Sequence, residues 1–225
     1  MDGVLLQSKI YMGYAKSAQR VGLPFDVYRP TSAANPQAIG NKIKTLQAAF
    51  TVHSSGNFNF GKPSDFKGPL FHALVDGAQI QRGDYLNDPT TVFGPFYIAS
   101  MDPSVPILAV QTNRIVTVYR PDGLASKPIG VSGYGGTVAS TANANETAVM
   151  TAWPASVLEG ARGIGSGELP SDNGVGVWRV FLPSWSGVLI SPGFIIIDDV
   201  GKRMIVRQAE LSDLGWNIQT VQALV

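Results

Sequence analysis

The chain has 225 residues, 17 Lys+Arg against 16 Asp+Glu, and no cysteine. At 44% hydrophobic and 15% charged, it is too apolar for a disordered chain and too neutral for bulk electrostatic binding of nucleic acid. The missing cysteines exclude a disulfide frame, a thiol nucleophile, and a Cys-ligated zinc or iron–sulfur site. No apolar run reaches the length of a membrane span, so none is expected. Met1-Asp2-Gly3 lacks a basic stretch, so no secretory signal is expected either.

The first predicted element is a helix. Leu6, Ile10, Tyr14 and Ala18 recur at i, i+4, Gly22 suits the C′ position, and Pro24 stops further winding. Asp2 near its start complements the helix dipole. Its apolar stripe either covers a sheet of the same chain or docks onto a neighbouring subunit. A weaker helical pattern runs over 38–47.

A degenerate repeat follows. Val27-Tyr28-Arg29-Pro30 recurs as Val118-Tyr119-Arg120-Pro121. Downstream, Ala48-Ala49-Phe50-Thr51 is matched with Ala148-Val149-Met150-Thr151, and Leu70 to Leu74 with Trp178 to Leu182. Ile80-x-x-Gly83-x-Tyr85-Leu86 is matched with Ile190-x-x-Gly193-x-Ile195-Ile196. Tyr97-Ile98-Ala99 then pairs with Met204-Ile205-Val206, and Ile107 to Val110 with the stretch from Trp216 to Val221. These landmarks are short, β-branched or aromatic, and bounded by turn residues such as Asn87-Asp88-Pro89 and Asp198-Asp199-Val200-Gly201. The expected fold is therefore mainly β. It has two tandem small barrel- or sandwich-like modules from an internal duplication, at 25–116 and 117–225, behind an N-terminal α-helix at 1–24.

Two long stretches resist a strand assignment. Residues 57–68 carry Phe58, Phe60 and Phe66, and the glycine-rich 160–176 carries Ile164 and Leu169. Loops of this length inside a compact domain are usually functional or partner-ordered. Together with Leu6, Ile10 and Tyr14, these residues are the candidate contacts between subunits.

Chemistry-bearing motifs are sparse. His53 and His72 lack the companions of a zinc site, and Ser54-Ser55 beside His53 lacks a nucleophile elbow. Gly160-x-x-Gly163-x-Gly165-x-Gly167 has neither the Lys-Ser/Thr ending nor the strand-to-helix context of a phosphate loop. Arg82-Gly83-Asp84 spells an adhesion tripeptide, but its repeat mate keeps only the glycine, which points to a backbone turn. Asn145-Glu146-Thr147 is a glycosylation sequon without an export signal. Asp198 and Asp199 are sequence neighbours and suit a turn, and Asp65, Asp76, Glu159, Glu168 and Asp172 are scattered, without glycosidase-like pairing. Trp153 and Trp185 are candidates for stacking on a sugar, whereas Trp178 and Trp216 fall in strand landmarks and read as core. The basic residues Arg20, Arg29, Lys42, Lys44, Arg114 and Arg120 form no run. No metal or cofactor is expected.

Three segments together resemble a family of uncharacterised proteins from tailed bacteriophages and proteobacterial prophages. They are Tyr11-Met12-Gly13-Tyr14-Ala15-Lys16 leading to Gly22-Leu23-Pro24-Phe25-Asp26-Val27-Tyr28-Arg29-Pro30; Phe96-Tyr97-Ile98-Ala99 leading to Pro106-Ile107-Leu108-Ala109-Val110-Gln111-Thr112-Asn113-Arg114; and Met150-Thr151-Ala152-Trp153-Pro154-Ala155-Ser156-Val157-Leu158. The closing Asp213-Leu214-Gly215-Trp216 is also similar, so the resemblance covers most of residues 8–225.

The resemblance implies a non-enzymatic structural protein located in the virion, in the tail, baseplate or neck, and brings no catalytic residues. Small duplicated β modules are similar to those of neck, tail and baseplate proteins at the level of fold alone. Such a protein is expected to form a cyclic homo-oligomer, to contact other tail, neck or baseplate proteins, and to meet nucleic acid only as cargo passing through a ring lumen. An open sheet edge would be a natural place for a ring neighbour to pair. The alternatives are a receptor- or glycan-binding module at the tail periphery and, more remotely, a wall hydrolase.

Overall fold

The computed structural model describes residues 3–51, 69–90, 93–103, 105–121, 146–160 and 176–223. Helix α1 (Gly3–Val21) leads into a first group of six strands: β1 (Leu23–Tyr28), β2 (Lys42–Thr51), β3 (Leu70–Leu74), β4 (Tyr85–Asn87), β5 (Phe96–Ser100) and β6 (Ile107–Gln111). A second group follows: β7 (Arg114–Pro121), β8 (Glu146–Glu159), β9 (Val177–Leu182), β10 (Ile195–Asp198), β11 (Arg203–Ser212) and β12 (Gly215–Gln222).

Each group closes into an antiparallel barrel. The first runs β1-β2-β3-β6-β5-β4 around its circumference and the second β7-β8-β9-β12-β11-β10. Adding six to every strand number turns one order into the other, so the duplication seen as short landmarks is a duplication of topology. Closure removes sheet edges, so neither barrel presents the edge strand that was expected to pair with a ring neighbour.

Strand register corrects the landmark matches. Val27 lies opposite Leu86 and Tyr28 opposite Tyr85, just as Val118 lies opposite Ile196 and Tyr119 opposite Ile195. The first and fourth landmarks are therefore aligned residue for residue. Tyr97, opposite Tyr85, corresponds to Ile205 rather than Met204. By the same reasoning Phe71 corresponds to Trp178, and Ala48, opposite Leu23, corresponds to Ala155, opposite Arg114, rather than to Ala148. The two aligned landmarks are pinned by geometry. Gly83 and Gly193 have φ of 87° and 90°, and their N–H groups donate to the carbonyls of Ile98 and Val206. The fifth strand of each barrel also bulges at the same place, between Ile98 and Ser100 and between Val206 and Gln208.

A second correction concerns 38–47. Instead of a helix, Ile39–Asn41 make one 3-10 turn and β2 begins at Lys42. The pairing of β2 with β1 overrides local propensity, and it turns Leu46 to the inside together with Phe25.

The first barrel buries residues on both its faces. Inside are Phe25, Val27, Ala48, Ala73, Leu86, Phe96, Ile98, Ile107 and Ala109. Outside, Tyr28, Tyr85, Tyr97, Val110 and Leu70 form one continuous cross-strand row, each paired with the next. That row packs into the same apolar cluster as the second barrel's Val118, Met150, Trp153, Ile196 and Trp216. The two modules are thus separate closed sheets fused through a shared core.

Polar contacts lock the seam. Tyr85 Oη donates to the Pro154 carbonyl at 2.8 Å, and its ring meets Trp153 at 6.1 Å. Trp153 Nε1 donates to the Ala33 carbonyl at 2.6 Å. The segment after β1 lies along β8, where Asn35 N–H donates to Thr151 O and Thr151 N–H to Ala33 O. Asn35 and Ala152, both beside this contact, are the two non-glycine residues with positive φ among the described residues.

Helix α1 lies on β2 and β3, with Tyr11 and Tyr14 against the first barrel's core. Ala18 is buried, and Gly22 follows it because a Cβ there would stand 2.5 Å from the Ala18 carbonyl oxygen and 2.9 Å from that of Ala48. The glycine is needed for close approach rather than for a left-handed turn. Among the described residues no helix is long and apolar enough to cross a membrane.

Candidate functional site

One end of the first barrel is formed by the start of β1, the end of β2, the starts of β3 and β5 and the end of β6. It opens into a cavity of about 370 Å³ lined by Phe25, Phe50, Phe71, Phe93, Phe96 and Gln111, among others. Phe50 and Phe96 stack in parallel with centroids 3.8 Å apart. Phe25 and Phe71 present their edges to that pair, at 5.1 Å from Phe50 and 5.4 Å from Phe96. Among the described residues no charged side chain lines the cavity, and Val21, Leu23 and Phe93 on its rim are exposed.

The same end of the second barrel is built from different side chains. By register Phe25 becomes Val116, Phe50 becomes Val157, Phe71 becomes Trp178 and Phe96 becomes Met204. Counting back from Phe96 and Met204, Gly94 becomes Lys202. The Lys202 ammonium sits over the Trp178 ring, 3.4 Å from its centroid. At Gly94 a Cβ would stand 2.9 Å from the Thr112 carbonyl oxygen, so the first barrel has no room there for an equivalent side chain. Among the described residues one mouth carries a cation–π pair where the other carries a phenylalanine-lined cavity.

Both turns at this end are organised by a buried aspartate. Asp88 accepts from the Thr90 and Phe93 N–H groups, and Asp198 accepts from those of Val200 and Lys202. Asp198 is buried and Asp199 exposed, so the adjacent carboxylates do not share a site.

The adhesion tripeptide is consumed by the fold. Asp84 is wholly buried, held by Arg29 through two hydrogen bonds of 2.9 and 2.7 Å and by the Gln81 N–H. Hydrogen bonding to Asp84 raises the Arg29 pKa against the opposing effect of burial. Arg82 donates across the seam to the Ser212 carbonyl. In the second barrel Arg120 occupies the Arg29 position, but Phe194 stands where Asp84 would be. There the buried ion pair is Glu146 with Arg203, joining β8 to β11.

Burial pushes the Tyr85 and Tyr97 phenols well above their ordinary pKa, so both stay neutral. His72 is buried in β3. Among the described residues no three His, Asp or Glu side chains converge as a metal site. His53, Ser54, Ser55 and the glycine-rich loop from 161 to 175 lie outside the described residues.

The predicted contact residues divide. Leu6 is exposed, whereas Ile10 and Tyr14 are half-buried, Tyr14 against the first barrel. Burial, with the nearby Tyr11, raises the Tyr14 pKa. Phe58, Phe60, Phe66, Ile164 and Leu169 lie outside the described residues. Trp153 is buried in the seam and unavailable to a sugar, and Trp185 is half-buried against it at 5.7 Å. Trp216 is core, as expected, while Trp178 is half-buried beneath Lys202. The phenylalanine mouth was missed because its rings come from four strands and a turn. The signal that finds it is the repeat itself, once aligned by strand register.

No family model, curated protein or solved structure matches this chain.

Proposed function

We propose that the chain is a non-enzymatic structural component of a tailed-bacteriophage virion, in the tail, baseplate or neck. It assembles as a symmetric oligomer and contacts neighbouring tail proteins. The residues that resemble the phage family suggest this reading. The observation that carries it is the exposed apolar surface along α1, with Val4, Leu5 and Met12 at 76%, 59% and 53% exposure, on a body whose two barrels are locked together. Leu5 and Met12 recur at i, i+7 on one face of the helix, and apolar side chains displayed on a rigid body are what a permanent neighbour covers. Peptide mass spectrometry of purified particles, followed by gold labelling with an antibody to the chain, tests it. Peptides in the particle and label at one fixed position are expected, and their absence from both would end the reading.

A second reading is a receptor- or glycan-binding module. An open hollow of about 630 Å³ beside the seam, lined by Arg82, Ser184, Glu210, Ser212 and Asp213, favours it. Saturable binding on a glycan array, lost in Glu210→Ala, is its test.

A further inference from the structure

We infer that the open mouth of the first barrel is a binding site for a neutral aromatic group of one or two fused rings. The inference rests on the cavity and on the repeat, and it does not depend on the virion reading.

The size fits. The cavity holds about 370 Å³, more than twice the roughly 150 Å³ of an apolar cavity that accepts a single benzene. The chemistry fits as well. Phe25 and Phe96 are buried against Phe50 and Phe71, and the half-buried Phe50 and Phe71 with the exposed Phe93 leave ring surface on which an aromatic group can stack or set its edge. A charged guest would lose its hydration with no counter-charge among the described lining residues. Gln111 supplies one amide, enough to orient a single polar atom of the guest.

The second barrel is the internal control. Register equivalence places the Lys202 ammonium over Trp178, the position of Phe71. The copy at this end therefore covers the ring at the Phe71 position with an intramolecular cation. The first copy carries Gly94 at the Lys202 position and phenylalanine at four positions where the second has Val116, Val157, Trp178 and Met204. Among the described residues the same architecture covers its ring with a cation once and leaves a phenylalanine-lined cavity once.

The full chain is titrated into N-phenyl-1-naphthylamine, a neutral fluorescent aromatic, with N-acetyl-tryptophanamide as competitor. One saturable site per chain is expected. Gln111→Trp, at a half-buried position of the lining opposite Phe96, abolishes binding, and Phe93→Ala, which removes an exposed rim ring, weakens it about fivefold. Leu189→Ala, an exposed apolar position in the second barrel, leaves binding unchanged. Thermal melts confirm that each variant folds. Displacement by N-acetyl-tryptophanamide shows that a ring carried on a peptide fits the site, and probe binding without displacement restricts the site to free aromatic molecules. No saturable binding, or binding that survives both Gln111→Trp and Phe93→Ala, overturns the inference.

Discussion

The two barrels share a strand order, a bulge and a left-handed glycine, yet they differ where side chains meet solvent or charge. In the first, Arg29 finds a buried carboxylate in Asp84; in the second, Arg120 faces the position of Phe194. In the first the mouth holds a phenylalanine-lined cavity; in the second Lys202 lies over Trp178. Backbone devices that every copy needs have been kept, while the inward and terminal side chains have diverged. Divergence at matched positions is thus a better guide to function here than any short motif.

The largest effect is expected at the seam that makes the two barrels one body. Trp153→Ala removes a ring buried against Tyr85 and a hydrogen bond to Ala33, and should cost about 4 kcal/mol in chemical denaturation. If the barrels were independent, the loss would be confined to one of two separate transitions.

Arg29→Ala leaves Asp84 buried without its counter-charge and should cost about 3 kcal/mol. Arg120→Ala, at the matched and exposed position, should change stability by less than about 0.5 kcal/mol. Equal effects would erase the electrostatic difference between the copies.

Where the copies agree, substitutions should agree. Gly83→Ala and Gly193→Ala meet no atom within 4 Å, so each reports only the positive φ, at about 1.5 kcal/mol apiece. Unequal losses would mean that the two turns are not equivalent.

Lys202→Ala should cost only about 1 kcal/mol, the scale of a cation–π contact, while exposing the Trp178 ring to an aqueous fluorescence quencher. Unchanged quenching would show that Lys202 does not cover the ring.

The smallest effect is at Asp26. Its partial burial raises the pKa, but hydrogen bonds from Lys42 and Thr45 and the Lys42 charge outweigh that and hold it below the ordinary value. The pair's contribution is present above the unfolded aspartate pKa of about 3.9 and lost as pH falls through the lower folded value. Asp26→Asn should remove about 0.5 kcal/mol near neutrality and flatten the acid limb of the stability profile. The matched residue in the second barrel, Thr117, contributes no such limb.

Some of this was legible in the sequence. Val-Tyr-Arg-Pro and the Ile-x-x-Gly landmarks align because a glycine turn and a paired strand fix their register. The matches at Ala48 and Leu70 slipped because small and apolar residues recur along a strand without marking its phase. Residues 38–47 read as helical because local propensity knows nothing of a partner strand. The seam was invisible because Tyr85 and Trp153 are 68 positions apart and meet only once both barrels are closed. At the candidate site, Gly94 and Lys202 share no chemistry, so only their common place before the fifth strand reveals them as a matched pair.

Xenon bound in crystals of the full chain tests the difference between the mouths most directly, because xenon occupies accessible apolar cavities without needing hydrogen bonds. The account predicts a xenon atom among Phe50, Phe71 and Phe96 and none beside Trp178. Xenon in both mouths, or only in the second, would contradict it.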